Sequence, residues 1–291
     1  MSDFRKNVNL PVSTLASARS VLFAPGNDGR KLESALDSGA DVVVADLEDA
    51  VPPDEKPVAR KLVAEILTGA ATRSVVAVRV NGTDTPFWQD DVRTLADIEL
   101  GALVLPKATP EAVAQVGREG PPLLAILETA RGLRRAYEVA AAPRVTALAL
   151  GAVDLGVELL LEPRPDGQEI LVARSLLVLD SGAAGLRAPF DVVHLAFQDL
   201  EGLEAECRLA RSLGFRGKMC IHRAQVEVVN RVFSPTKDEL ERARRVVEAY
   251  DRGVAGGTGV VPLDGEMVDL PVVERAKQVL AEAERSASDG S

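Results

Sequence analysis

Eight short apolar runs recur along the chain, and most of them stop at a charged or metal-competent side chain. They are RSVLFAP (19–25), DVVVADLED (41–49), SVVAVRVNG (74–82), ALVLPK (102–107), PLLAILE (122–128), VTALALGAVD (145–154), FDVVHLA (190–196) and GKMCIH (217–222). Strands buried on both faces read as such near-continuous runs. Between them, segments such as EKPVARKLVAEILTGA and DLEGLEAECRLARSLGF place apolar residues at three- and four-residue steps, the spacing of amphipathic helices. Several helices are expected to end in a left-handed glycine, at Gly39, Gly69, Gly185 and Gly214. Strand–helix alternation repeated eight times predicts an α/β chain closed as a (β/α)8 TIM barrel. An open, doubly wound sheet is the competitor, but it focuses its binding groups at one crevice. Here the charged strand ends are spread over nearly all the strands. A barrel would gather Asp46, Glu48, Asp49, Arg79, Lys107, Glu128, Asp154 and His222 at one mouth.

The 291 residues suffice for one barrel-sized domain with a substantial core. A net charge of −10, with no dense Lys/Arg cluster, argues against a nucleic-acid partner. The two cysteines, Cys207 and Cys220, are expected to be reduced and buried. No apolar stretch approaches the roughly 20 residues of a membrane helix, so no membrane partner is expected. The N-terminal segment, short of acids and carrying Arg, Lys and Ser, lacks the apolar region of a secretory signal. An organelle transit peptide is the alternative there to the cytoplasmic enzyme that fits better.

The expected organisation is an N-terminal extension (1–18), a barrel (19–233) and a C-terminal arm of the same domain (234–291). In the arm, a helix starting at Ser234–Pro235 and ending at Gly253 is followed by a hairpin turning at Asp264–Gly265 and by a last helix. A hairpin and helix of that size read as a lid or an oligomer arm. APGNDGRK (24–31) is not a dinucleotide fingerprint, and no phosphate-binding GK[ST] occurs.

Glu128 and Asp154 end the fifth and sixth runs, so their carboxylates would share one mouth. Two carboxylates without a His or Cys cluster favour a hard cation, Mg²⁺ or Mn²⁺, with water and substrate completing its shell. Helix capping is the alternative for either residue. Arg79, inside an apolar strand, must face charge. Its fork suits a carboxylate or a developing enolate oxygen, and an ion pair with Asp46 or Glu48 is compatible with both. Asp46 and Glu48 fall on one side of the second run, and Asp49 lies in the loop beyond. One of these acids is expected to pair with Arg79 and another to act as acid or base. Lys107 raises the alternative of a metal-free Schiff base. His194 and His222 are expected to be buried or structurally hydrogen-bonded, since no activating Ser or Cys accompanies them.

In this order, RSVLFAPG, DLEDAV, VRVNG, LPK, ETARG, GAVDL, ARS and GKMCIHRAQ resemble the citrate lyase β-subunit-like branch of the HpcH/HpaI aldolase superfamily. That branch includes malyl-, citryl- and citramalyl-CoA lyases. The resemblance covers roughly residues 19–270 and implies a homotrimer of barrels with one Mg²⁺ per site. Position by position, it places metal ligands at Glu128 and Asp154, the oxyanion-holding Arg at Arg79 and active-site acids at Glu48 and Asp49. It places the CoA at Phe23, Arg30 and Lys31, and an acid reaching a neighbouring subunit's site at Asp269 of GEMVD. The implied reaction is Mg²⁺-dependent cleavage or formation of a short β-hydroxyacyl-CoA, with Arg79 and Glu128 also contacting substrate. A metal-dependent aldolase acting on free 2-oxo and hydroxy acids is the alternative, as is a non-catalytic acyl-CoA-binding subunit. Three positions depart from the family: Val153 stands for an acid, Arg223 for Pro, and Asp28 for the Arg that contacts CoA.

Overall fold

The computed structural model describes residues 15–68, 70 and 72–288; residues 1–14 of the expected extension, and Gly69, lie outside them. Among the described residues two compact units are present, one built on residues up to 233 and the other on residues from 234 onward.

In the first unit strands and helices alternate: β1 (Ser20–Pro25), α1 (Gly29–Leu36), β2 (Val42–Asp46), α2 (Lys56–Thr68), β3 (Val75–Arg79), α3 (Trp88–Leu95), β4 (Ala102–Leu105) and α4 (Pro110–Val116). The alternation continues through β5 (Leu123–Leu127), α5 (Ala130–Arg134), α6 (Ala136–Ala140), β6 (Val145–Leu150) and α7 (Ala152–Leu159). Then follow α8 (Leu171–Ala183), α9 (Leu200–Leu213), β7 (Lys218–Cys220) and α10 (Ala224–Val232). The seven strands pair in parallel in the order β6-β5-β4-β3-β2-β1-β7, a nearly closed TIM-barrel-like sheet flanked by helices.

The seventh apolar run differs from expectation. It forms no strand of its own, and bridges the gap through Phe190 to Ala149 and through Asp191 to Lys218. Period-two alternation sends Phe190 and Met219 into the barrel, with Val21, Val44, Ala77, Val104, Leu124 and Ile126. Asp191 and Lys218 therefore face outward, where both are fully buried under the helices. There Asp191 accepts from Arg174 Nε at 2.8 Å and Lys218 Nζ at 2.9 Å, and Lys218 also lies 2.9 Å from Glu206. Charge pairing adds to the few ladder hydrogen bonds that Phe190 makes with Leu148 and Leu150 and Asp191 makes with Gly217 and Met219.

The barrel floor is closed by Leu15 and Ala18, which join the interior cluster from the end of the expected N-terminal extension. A second, larger apolar layer lies between strands and helices, including Leu32, Val43, Val63, Leu105, Leu127 and Leu177. Each such side chain contributes roughly 1.5–3 kcal/mol by leaving water. Gly39, Gly185 and Gly214 adopt the expected left-handed conformation at helix ends.

The second unit contains α11 (Lys237–Ala255), a hairpin of β8 (Val261–Leu263) and β9 (Glu266–Val268), and α12 (Leu270–Ser288). Asp264 (φ 53°) and Gly265 (φ 82°) form the two-residue turn that the sequence signals, with both central residues at positive φ. The boundaries of α11 differ from the sequence reading. Thr236, not Ser234, caps it through a reciprocal capping box with Glu239. Gly253 lies inside the helix and does not end it, and a Cβ there would come within 2.2 Å of Val261, so the glycine serves a close packing contact. Val246, Val261, Val268 and Val273 form this unit's own small core.

Candidate active site

The inward-facing positions of β2, β3 and β5 are apolar until each strand reaches its carboxyl end. There the same alternation delivers Asp46, Arg79 and Glu128 into the mouth. Asp46 and Arg79 are register partners. The Arg79 Nε donates to Asp46 Oδ1 at 2.7 Å and its Nη2 to Oδ2 at 2.6 Å, a two-pronged pairing. The remaining Nη1 lies 3.0 Å from Glu48 and 3.5 Å from Asp49. Phe23 on β1 sits with its ring centroid 5.2 Å from the guanidinium carbon. Burial works against the charge on Arg79, yet Asp46, Glu48 and Asp49 hold its pKa above the ordinary value.

Asp46 also orders the loop that follows it. Its carboxylate accepts from the backbone N–H groups of Glu48 (2.9 Å) and Ala50 (3.1 Å). Three charged residues that carried no sequence signal complete this support. The buried Lys56 of α2 donates to the carbonyls of Leu47 and Glu48, each at 2.8 Å. Arg60 Nε donates at 2.8 Å to the buried Asp91, which also accepts from the backbone and side-chain nitrogens of Asn81.

Glu128 is 3% exposed. It does not cap the helix after it, since Thr129 performs that task through Gly132 N. Glu128 Oε1 instead accepts from Lys107 N at 2.7 Å. The inward position beside it on the next strand is Gly151, where a Cβ would fall 2.4 Å from the Glu128 Cβ, so only glycine leaves room for this carboxylate. Burial and the neighbouring Glu48 carboxylate push Glu128 up to about 7. Burial likewise raises Glu48 despite its cationic partners. Asp154 stands in the first turn of α7, where the helix N-terminus favours an anion, with Oδ1 3.8 Å from Lys107 Nζ.

Lys107 spans these groups, with Nζ 2.5 Å from Glu48 Oε1. Burial works against its charge, but the Glu48 hydrogen bond and the surrounding carboxylates raise its pKa. It therefore holds its proton more firmly than a Schiff-base lysine does. Of the two alternatives for His222, it takes the second: it is exposed, its Nδ1 accepts from Ala224 N at 3.2 Å, and its ring lies 4.9 Å from that of Phe197. His194 is part-buried, with Nδ1 3.1 Å from Glu206.

Phe23, Asp46, Asp49, Arg79, Glu128 and Asp154 all line one cavity of about 410 Å³ at the mouth. Arg30 and Lys31 line an adjoining cavity of about 580 Å³, together with Arg223 and His222; Phe23 and Ile221 line both. Asp28, which stands where the resemblance leads one to expect an Arg, caps α1 by accepting from Lys31 N at 3.1 Å. Asp269 lies in the second unit, where its carboxylate accepts from Val272 N at the start of α12.

Among the described residues, no three His, Cys, Asp or Glu side chains converge tightly enough to hold a metal alone. The Glu128 carboxylate, buried beside other carboxylates, and Asp154, lining the same cavity, fit a hard cation that keeps sites for water and substrate.

Residues 19–223 match the model of the HpcH/HpaI aldolase/citrate lyase family. The chain belongs to that family. This HpcH/HpaI aldolase/citrate lyase member is thus an enzyme of a lyase family. It is 41% identical to a protein named (3S)-malyl-CoA thioesterase from Cereibacter sphaeroides, over 94% of this chain and 97% of that one. It is 37% identical to a citrate lyase subunit beta from Leuconostoc mesenteroides, over 90% and 92% of the two chains. Protein CitE from Mycobacterium tuberculosis, crystallised with magnesium, acetoacetate and coenzyme A, superposes with a TM-score of 0.81 at 34% identity. That match covers 93% of this chain and 100% of the other. No helix among the described residues is long and apolar enough to cross a membrane.

Proposed function

We propose that this family member cleaves, or in reverse forms, a short β-hydroxyacyl-CoA, yielding an acyl-CoA and a 2-oxo acid with the help of a divalent ion. The observation that carries this reading is the convergence of Arg79, Glu128 and Asp154 on one cavity, beside a second cavity lined by Arg30, Lys31 and Arg223. The second cavity suits the phosphates of a CoA, and Phe23, lining both, marks the route of its pantetheine arm. Arg223 brings to it a cation where the family has Pro.

Glu128 and Asp154 are the proposed ligands of Mg²⁺, or of Mn²⁺ with the same hard donors. Bound there, the ion would act as a Lewis acid toward the 2-hydroxy acid portion of the substrate. Arg79, held in orientation by Asp46, would bind substrate and stabilise the negative charge that develops on the thioester enolate. Asp49, the more exposed of the nearby acids, is the proposed base for the hydroxyl proton. Glu48 tethers Lys107 and Arg79 between the metal ligands and that base. Asp269 of another copy is proposed to return a proton to the enolate, in a homotrimer. The exposed apolar side chains Val157, Leu160, Val172 and Leu179 on and beside α7 and α8 support such self-association. A cytoplasmic location belongs to the same proposal.

The test is a panel of malyl-, citramalyl- and citryl-CoA and free 4-hydroxy-2-oxo acids, with Mg²⁺ or EDTA. Released 2-oxo acid and released thiol are measured separately. The reading expects Mg²⁺-dependent 2-oxo acid release from a thioester. Thiol release without 2-oxo acid would make the chain a hydrolase, and turnover of free acids alone would remove CoA.

A further inference from the structure

The cavity that holds Arg79 is lined by two kinds of group, the carboxylates of Asp46, Asp49, Glu128 and Asp154 and the uncharged side chains of Val153, Val193, Leu195, Met219 and Ile221. Val153, Leu195 and Ile221 are 47%, 64% and 40% exposed, so aliphatic surface is presented to the space a substrate would fill. Among the described residues that line the cavity, Arg79 is the one cation. Asp46 takes two of its nitrogens and the third lies 3.0 Å from Glu48, and the charge it keeps is the one proposed to face the enolate, so no lining cation is left over for a second substrate carboxylate. The neighbouring Lys107 is likewise bound to Glu48 at 2.5 Å.

We infer that the substrate carries an uncharged alkyl group, methyl or ethyl, on its carbinol carbon, and not a second carboxylate. This rests on the lyase reading above and narrows it. The reaction is R–C(OH)(CO₂⁻)–CH₂–CO–SCoA giving R–CO–CO₂⁻ and CH₃–CO–SCoA. The hydroxyl proton leaves, the bond between the carbinol carbon and the CH₂ breaks, and its electron pair becomes the thioester enolate, which takes up one proton. The single free carboxylate belongs on the side of Glu128 and Asp154, where a divalent ion would receive it. The group R then meets the aliphatic wall, because Val153 is the chain neighbour of Asp154. A carboxylate in R would lose water without gaining a counter-charge. Each carbon that fills such a wall is worth roughly 10–200-fold in specificity.

The experiment compares cleavage of thioesters with R as hydrogen, methyl, ethyl or carboxymethyl, by wild type and Val153→Lys. Calorimetric binding of pyruvate, 2-oxobutyrate and oxaloacetate to the Mg²⁺-loaded protein is read alongside. The expected result is kcat/KM at least about tenfold higher for methyl or ethyl than for hydrogen or carboxymethyl. Binding should show the same order between the alkyl and the dicarboxylic 2-oxo acids. Val153→Lys should narrow the methyl-to-carboxymethyl ratio at least about tenfold with an unchanged thermal midpoint, because it puts a cation where R lies. Equal or better use of the carboxymethyl thioester, or an unmoved ratio in Val153→Lys, overturns this inference and leaves the lyase reading standing. Absence of 2-oxo acid from every thioester removes the lyase reading and this inference with it.

Discussion

Asp46 and Arg79 face each other across adjacent strands, and Arg79 donates two hydrogen bonds of 2.7 and 2.6 Å to the Asp46 carboxylate, so the guanidinium is fixed before any ligand arrives. An oriented cation costs no reorganisation when charge develops beside it, the condition under which electrostatic stabilisation is largest. Arg79→Lys keeps the charge but loses the planar fork that Asp46 grips. Activity is expected to fall about 10²–10³-fold, mainly in kcat, as for loss of an oxyanion donor. Steady-state kinetics of the variant would check this, and a near-wild-type kcat would remove Arg79 from the reacting charge.

Glu128 is destabilising as a carboxylate. Its folded pKa of about 7 lies above the ordinary 4.5, so the folded chain holds this proton more tightly than the unfolded chain does. Stability from this group is full below 4.5, declines as pH rises, and is lost above about 7. The difference amounts to on the order of 3 kcal/mol. Glu128→Gln is therefore expected to be more stable than wild type at pH 8 in EDTA, to lose that advantage at pH 4, and to show no Mg²⁺-dependent stabilisation. Chemical unfolding with and without the metal measures all three effects. A variant less stable than wild type at pH 8 in EDTA contradicts the assignment.

Lys107 is held charged by Glu48, so borohydride added with a 2-oxo acid is expected to leave the intact mass unchanged, while EDTA abolishes turnover. Mass spectrometry after reduction decides between this metal-dependent route and a covalent one.

Both thiols are buried among apolar neighbours, and burial pushes Cys207 and Cys220 each up to about 12. At pH 8 roughly one molecule in ten thousand carries a given thiolate. Native protein is expected to resist iodoacetamide, and unfolded protein to take up two labels. Rapid labelling of folded protein would show that this part of the fold opens readily.

Asp191 is the common partner of Arg174 and Lys218, all three fully buried. Asp191→Asn leaves Arg174 and Lys218 with the part-exposed Glu206 as their one remaining carboxylate partner among the described residues and is expected to cost roughly 3–5 kcal/mol. Replacing Arg174, Asp191 and Lys218 together with aliphatic residues should recover much of that loss. Denaturant midpoints of the single and triple variants make the comparison.

What the sequence showed of the site, it showed through contrast. Arg79, Glu128 and Asp154 stand out because each closes an apolar run, where a charge needs a reason. Lys56, Arg60 and Asp91 were invisible for the opposite reason. They lie on helices, where charge ordinarily faces water, and their partners are loop groups or helix residues far along the chain. The run FDVVHLA (190–196) has the composition of a strand, but its ladder hydrogen bonds stop after Phe190 and Asp191, where Arg174 and Glu206, on two helices, shape its surroundings. The start of α11 was misplaced because Pro235 is a strong local signal, whereas the Thr236–Glu239 capping box satisfies two backbone donors at once.

The sparse seventh segment has one more consequence, for how the barrel finds its alignment. Sliding it by a single residue would turn Asp191 toward the aliphatic interior now filled by Phe190, and would take from Arg174 and Lys218 the buried acid they share. Two bridges alone would scarcely distinguish the neighbouring alignments. The buried charges distinguish them strongly, because the wrong one buries Asp191 without a partner and halves the counter-charge of two cations. Asp191 thus works as a key that fits one notch, and a segment too short to be a strand still closes the ring in a single register.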